Sequence, residues 1–168
     1  MGGGLVAIHT VSFLVENKAG VLFNVTNLFR RRGFNIESIA VGTVQDPKYS
    51  RMTISVEADA KTLTNLIEQL EKMVEVIKVK RLDPLRTIKR EMLLVKLETR
   101  DPLAREDALK YINGQHGLVL DIDDESIMAE VTGGPEELVE FLEYVKSIGI
   151  VELSRTGITA LEKGRLHL

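Results

Sequence analysis

An α+β fold made of two successive βαββαβ halves is predicted by three observations. Apolar residues alternate with period two in several short runs and recur at helical spacing between those runs. The order strand, helix, strand, strand, helix, strand fills about 75 residues and then repeats, the helices covering one face of an antiparallel sheet in a ferredoxin-like arrangement. A break at Asp83-Pro84-Leu85-Arg86-Thr87 separates the two runs, because Pro84 cannot continue a ladder and restricts Asp83. The length of 168 residues, with 44% hydrophobic and 28% charged, suits two small domains and argues against wholesale disorder.

In the first half, His9–Glu16 alternates with Val11, Phe13 and Val15 on one face, as a half-buried strand does. Asn17-Lys18-Ala19-Gly20 follows, and then Val21, Leu22, Val25, Leu28 and Phe29 form the apolar stripe of a helix that Gly33 stops. Asn35–Val44 reads as the next strand and Gln45–Ser50, with Pro47, as its turn. Met52, Ile54 and Val56 alternate again, Asp59 caps a helix striped by Leu63, Leu66, Ile67, Leu70 and Met73, and Val74–Leu82 closes the half as a strand. In the second half Glu91–Glu98 is a strand. Pro102 opens a helix bearing Ala104, Ala108, Leu109 and Ile112 and ended by Gly114. A hairpin spans Leu118–Val131. Pro135 starts a helix with Glu136 and Glu137 in its first turn and Leu138, Phe141, Leu142 and Val145 as its stripe. The last strand falls near Ile150–Thr156. The expected domains are residues 8–83 and 88–161.

Composition excludes several function classes. With 22 Lys+Arg against 25 Asp+Glu the net charge is −3, and nothing in that balance invites nucleic acid. Zero Cys removes disulfides, Cys-ligated zinc, iron–sulfur clusters and thiol nucleophiles. No apolar run approaches the roughly 20 residues of a membrane span, and Met1-Gly2-Gly3-Gly4-Leu5-Val6-Ala7 lacks the basic and apolar regions of a secretory leader. A cytoplasmic protein is expected. His9, His116 and His167 are scattered, without partners spaced for a metal or for catalysis, and His116 suits a helix exit. The run Asp121-Ile122-Asp123-Asp124-Glu125 reads as the turn of the hairpin rather than as a cation loop, since the ligand order and glycine of an EF-hand are missing. Arg30-Arg31-Arg32 sits at a helix C-terminus, where cations are favoured on a solvated face. With aromatics at 5%, no stacking platform for RNA is present.

One turn looks more than structural. In Asn17-Lys18-Ala19-Gly20-Val21-Leu22, Gly20 stands where a helix starts, and its missing side chain lets a ligand approach free backbone N–H groups. Those donors suit a carboxylate. The amides of Asn17 and Asn35 can accept hydrogen bonds from an ammonium group, and Val21, Leu22 or Ile36 offer a small apolar wall. Together these groups describe a free aliphatic amino acid. The same residues also make a competent turn with Asn as a cap, and spacing alone does not separate the two readings.

The segments Glu16–Leu22, Arg32-Gly33-Phe34-Asn35-Ile36-Glu37-Ser38 and Ser50-Arg51-Met52-Thr53-Ile54 resemble the ACT domain of the acetolactate synthase (acetohydroxyacid synthase) small regulatory subunit. Arg90-Glu91-Met92-Leu93-Leu94-Val95-Lys96-Leu97 and Arg155-Thr156-Gly157-Ile158 resemble the C-terminal domain of that family, so the likeness runs from about Ile8 to Leu161. The resemblance implies an ACT domain at 8–83, a C-terminal ferredoxin-like domain at 88–161, and no catalysis or cofactor in this chain. It implies a large catalytic subunit as partner. That subunit carries thiamine diphosphate, FAD and magnesium and condenses two pyruvates to acetolactate with loss of carbon dioxide. It further implies activation of that partner, feedback inhibition by valine or another branched-chain amino acid, and a homodimer through ACT domains with the effector between them. The family's effector positions fall on Asn17, Gly20 and Asn35, with Val21, Leu22 and Ile36 beside them. The glycine-rich N-terminus and the Lys18-Ala19 pair depart from the family pattern. Two other classes compete: a freestanding amino-acid sensor, and a small enzyme on the same fold.

Overall fold

The computed structural model describes residues 6–165 and Leu168. The Gly2-Gly3-Gly4 stretch and His167 lie outside the described residues. By compactness the chain divides into a first unit of residues 1–88 and 158–168 and a second of residues 89–157. Each is described by itself.

The first unit contains β1 (Ala7–Glu16), α1 (Val21–Arg31), β2 (Ile36–Thr43), β3 (Tyr49–Ala58), α2 (Ala60–Glu71) and β4 (Val76–Arg81). Its antiparallel sheet runs β2-β3-β1-β4. Alternation sends Val11, Phe13 and Val15 of β1 and Met52, Ile54 and Val56 of β3 to one face. There they pack against Val21, Val25, Leu28 and Phe29 of α1 and Leu63, Leu66 and Leu70 of α2, all of these fully or almost fully buried. Asp59 caps α2 as its position predicts: its carboxylate accepts from the Thr62 N–H at 2.9 Å and from the Thr62 hydroxyl at 2.9 Å. After β4, Pro84–Arg86 form a single 3-10 turn with the Asp83 carboxylate accepting from the Leu85 N–H.

The opposite face of this sheet carries Thr10, Ser12, Arg51, Thr53, Ser55 and Lys80, and of these Thr10, Ser12, Thr53 and Ser55 are buried. The cover is β9 (Thr159–Glu162), a short strand that the periodicity did not reveal; four residues are too few to show a period. Three alternate residues of this C-terminal strap meet three of the sheet's four strands. The Ile158 N–H donates to Ser38 Oγ at 2.7 Å on β2, Arg51 Nη2 on β3 donates to the Ala160 carbonyl at 3.1 Å, and Lys80 Nζ on β4 pairs with Glu162. Ile158 and Ala160 bury their side chains with Leu82. Thus residues 158–161, expected in the second domain, belong to the first compact unit.

In the second unit, β5 (Thr87–Glu98, whose first two residues lie in the first unit), α3 (Pro102–Gly114), β6 (Leu118–Ile122), β7 (Ser126–Gly133), α4 (Pro135–Val145) and β8 (Ile150–Arg155) repeat the layout, with the sheet path β6-β7-β5-β8. Leu93, Val95, Leu97, Ile127, Ala129 and Val131 meet Ala108 and Ile112 of α3 and Leu138, Phe141 and Val145 of α4. At the exit of α3 the left-handed residue is His116 (φ 56°) and not the neighbouring glycine. Gly117 serves packing: a Cβ there would stand 2.8 Å from Ile112 Cγ2 and 3.1 Å from the Glu130 carbonyl. The acidic run forms the β6–β7 turn. Its Asp123 carboxylate accepts from the N–H groups of Glu125 and Ser126, both at 2.7 Å, and those bonds hold Asp123 below the usual carboxylate range.

Candidate functional site

The loop after β1 is shaped by where that strand's partners stop. Glu16, the last residue of β1, is opposite Tyr49, and the next residue is held by the β2–β3 turn: the Asn17 N–H donates to the Lys48 carbonyl at 2.7 Å and its Nδ2 to the Pro47 carbonyl at 2.9 Å. Both bonds use donors, which leaves the Asn17 side-chain oxygen as an acceptor. Lys18 Nζ pairs with Glu16 at 2.8 Å, and that bond raises the lysine's proton affinity.

Gly20 is the N-cap of α1, in the left-handed region at φ 87°, ψ −15°, and no side chain caps the helix. Most N-cap residues are extended and offer an oxygen to the first-turn amides; Gly20 offers none. The amides of Leu22 and Phe23 have no preceding helical carbonyl, and no acidic residue occupies the first turn. A Cβ on Gly20 would meet nothing within 4 Å, so the space over these donors is open. The helix dipole adds positive potential there. The arrangement can take a carboxylate.

The apolar neighbours divide. Val21 is 4% exposed and belongs to the core, so at the loop it contributes backbone alone; Leu22 is 46% exposed and available. Sequence reasoning missed two residues at this end. Phe23 presents both an amide and an exposed ring, and Asn24 Nδ2 donates to Glu75 at 3.0 Å, tying α1 to the approach of β4. The missing acid in the first turn was the readable sign of an uncapped start.

Asn35 and Ile36 stand elsewhere. Ile36 opens β2 opposite Val56, and Val56 is opposite His9 near the start of β1, while the Gly20 loop follows the far end of β1 at Glu16. Seven residues of strand separate the two ends, about 24 Å at 3.4 Å per residue. One chain therefore does not bring Asn17 and Gly20 together with Asn35 and Ile36. At its own end Asn35 is exposed, its Nδ2 donating to Glu37, again with the amide oxygen left as an acceptor, and Ile36 is half-buried against the core.

The remaining candidates have structural partners. His9 Nε2 lies 3.1 Å from the Ala58 carbonyl and its Nδ1 lies 3.3 Å from Arg81 Nη2. Arg30 donates to Asn27 and Arg32 to Gln69, which ties these cations to helix surfaces. Among the described residues, no group of three or more His, Asp or Glu is placed to hold a metal ion, and no helix is long and apolar enough to cross a membrane.

Comparison with known proteins is consistent across the chain. A family model described as an AHAS small subunit-like ACT domain matches residues 11–78, and one described as the small subunit of acetolactate synthase matches residues 90–164. The probable acetolactate synthase small subunit of Methanothermobacter thermautotrophicus is 43% identical over 156 residues, 93% of each chain. The acetolactate synthase small subunit of Mycolicibacterium smegmatis is 38% identical over 156 residues, 93% of this chain and 91% of that one. The crystal structure of the acetolactate synthase small subunit from Thermotoga maritima matches with a TM-score of 0.89 at 37% identity, covering 95% of this chain and 99% of that chain.

Proposed function

The chain belongs to the family of acetolactate synthase small subunits, with an ACT regulatory domain in its first half, and on that premise we propose that it activates the catalytic subunit and makes it responsive to valine. In this reading the chain is itself non-catalytic. Thiamine diphosphate, magnesium and FAD reside on the large subunit, which condenses two pyruvates to 2-acetolactate in the cytoplasm.

The observation that carries the proposal is the uncapped start of α1 at Gly20, combined with the separation of its complement at Asn35. Two half-sites about 24 Å apart in one chain become one site when a second copy packs side by side about a two-fold axis. The effector carboxylate then meets the Leu22 and Phe23 amides. The ammonium donates to the side-chain oxygens of Asn17 on one protomer and Asn35 on its partner, and the aliphatic side chain lies against Leu22 and the partner's Ile36. A ligand shared by two protomers favours the arrangement that presents both halves, and only that difference in affinity can reach the catalytic partner, a coupling of about 1–3 kcal/mol.

The test is Gly20→Asp in the reconstituted holoenzyme. A carboxylate at the mouth of α1 repels the effector carboxylate, so valine inhibition should be lost while activation of the large subunit persists. Normal sensitivity to valine in that variant would refute the site. Calorimetric titration with valine, leucine and isoleucine, with and without the catalytic subunit, reads the preference, for which the proposal expects valine.

A further inference from the structure

On the outer face of the first unit's sheet, the side away from α1 and α2, lies a cavity of about 240 Å³ lined by residues 40–44 of β2 and the turn after it, Arg51 and Thr53 of β3, and Thr159 of the C-terminal strap. Arg51 is the unusual member. The strap partly buries it, and that burial lowers the guanidinium's proton affinity. Its Nη2 is committed to the Ala160 carbonyl, and its Nε is sealed from solvent without a hydrogen-bond partner. Among the described residues no carboxylate is hydrogen-bonded to it; Glu162 acts on it from nearby and is paired with Lys80. A half-buried cation without a bonded counter-ion is costly, and such a group ordinarily meets a fixed anion.

The surroundings supply room and neutral donors rather than that anion. Gly42 is opposite Arg51 in the β2–β3 register, and a Cβ there would meet nothing within 4 Å. Thr53 is almost fully buried, its hydroxyl 3.5 Å from Ser12 Oγ, and Thr159 lines the same cavity. Guanidinium and hydroxyl donors around a small cavity with no acidic lining residue are the complement of an oxyanion. We propose that this cavity is a second binding site of the chain, taking a small oxyanion of the carboxylate or phosphate class on Arg51, Thr53 and Thr159. It goes beyond the amino-acid site and does not depend on it.

The experiment uses the full chain labelled with ¹⁵N at arginine. Inorganic phosphate and acetate are titrated separately at constant ionic strength against chloride, following the arginine Nε–Hε resonances. The Arg51 signal, identified by its loss in Arg51→Gln, should move saturably with phosphate, with acetate or with both, and the two arms tell the sources apart. Because Arg51→Gln also loses the bond to Ala160, a second variant, Gly42→Val, fills the cavity where backbone and space allow it. Gly42→Val should weaken the response about tenfold or more, as expected for losing one charge-assisted contact. Gly20→Asp should leave the response unchanged. An Arg51 signal that moves with neither anion overturns the proposal, as does a response that Gly42→Val leaves intact or Gly20→Asp removes.

Discussion

At Gly20 the backbone turns left-handed with open space where a side chain would project, so strain and steric clash can be separated there. Gly20→Ala meets no neighbour and is expected to cost about 1–2 kcal/mol from the backbone alone, read as a lower urea midpoint with an unchanged slope. Asp59 poses a protonation question. Bonds from Thr62 hold its folded carboxylate below the usual range. A depressed folded value means that the bonds stabilise fully above the unfolded pKa of about 3.9 and are lost as pH falls through the lower folded value. Asp59→Asn keeps a cap that does not titrate, so stability in urea should fall less steeply below about pH 4 in the variant than in the parent. The place of Gly20 at a helix start was legible at this scale, since it stands between a strand and a helical stripe, but spacing did not separate a turn role from a binding role for Asn17 and Gly20. The two uses of Val21 were not separable: it completes the α1 stripe and also borders the loop, and its burial decides for the core.

Among the elements, the helices and long strands followed from periodicity, since each carries enough apolar residues to reveal a face. The C-terminal strap did not. Its Thr-Ala-Leu-Glu sequence has no preference a reader could use, and its role is visible from β2, β3 and β4, which it touches, and from β5, with which it pairs. The same gap hid Arg51, whose place in the strand pattern reads as solvent until the strap is laid over it. Deleting residues 158–168 should therefore uncover Thr10, Ser12, Thr53 and Ser55 and leave Lys80 without Glu162. The expected loss is on the order of 3–5 kcal/mol, from burial of Ile158 and Ala160 and the hydrogen bonds of the strap. Hydrogen exchange should quicken in β1 and β3 and where β5 loses its pairing with β9, while β6 and β7 of the second unit keep their protection.

For the whole molecule, the proposed half-sites at opposite ends of one sheet lead to a prediction about pairs of chains. In a mixed dimer of a Gly20→Asp chain and an Asn35→Ala chain, one interface site combines the intact Gly20 loop with the intact Asn35, and the other carries both lesions. Each variant alone should bind no valine, while the mixture should recover a single site per mixed dimer by calorimetry. Recovery of nothing in a mixture shown to contain mixed dimers would refute a site shared between Gly20 of one chain and Asn35 of another.

The chain path through the two units sets an order of events during synthesis. Residues 89–157 emerge from the ribosome complete, and they can close their own core at once. The first unit, although begun earlier, must hold its hydroxyl-lined sheet bare until residues 158–162 are released. The amino-terminal half thus finishes after the second unit, and a ribosome stalled before residues 158–162 emerge would carry a closed second unit and an unsealed first.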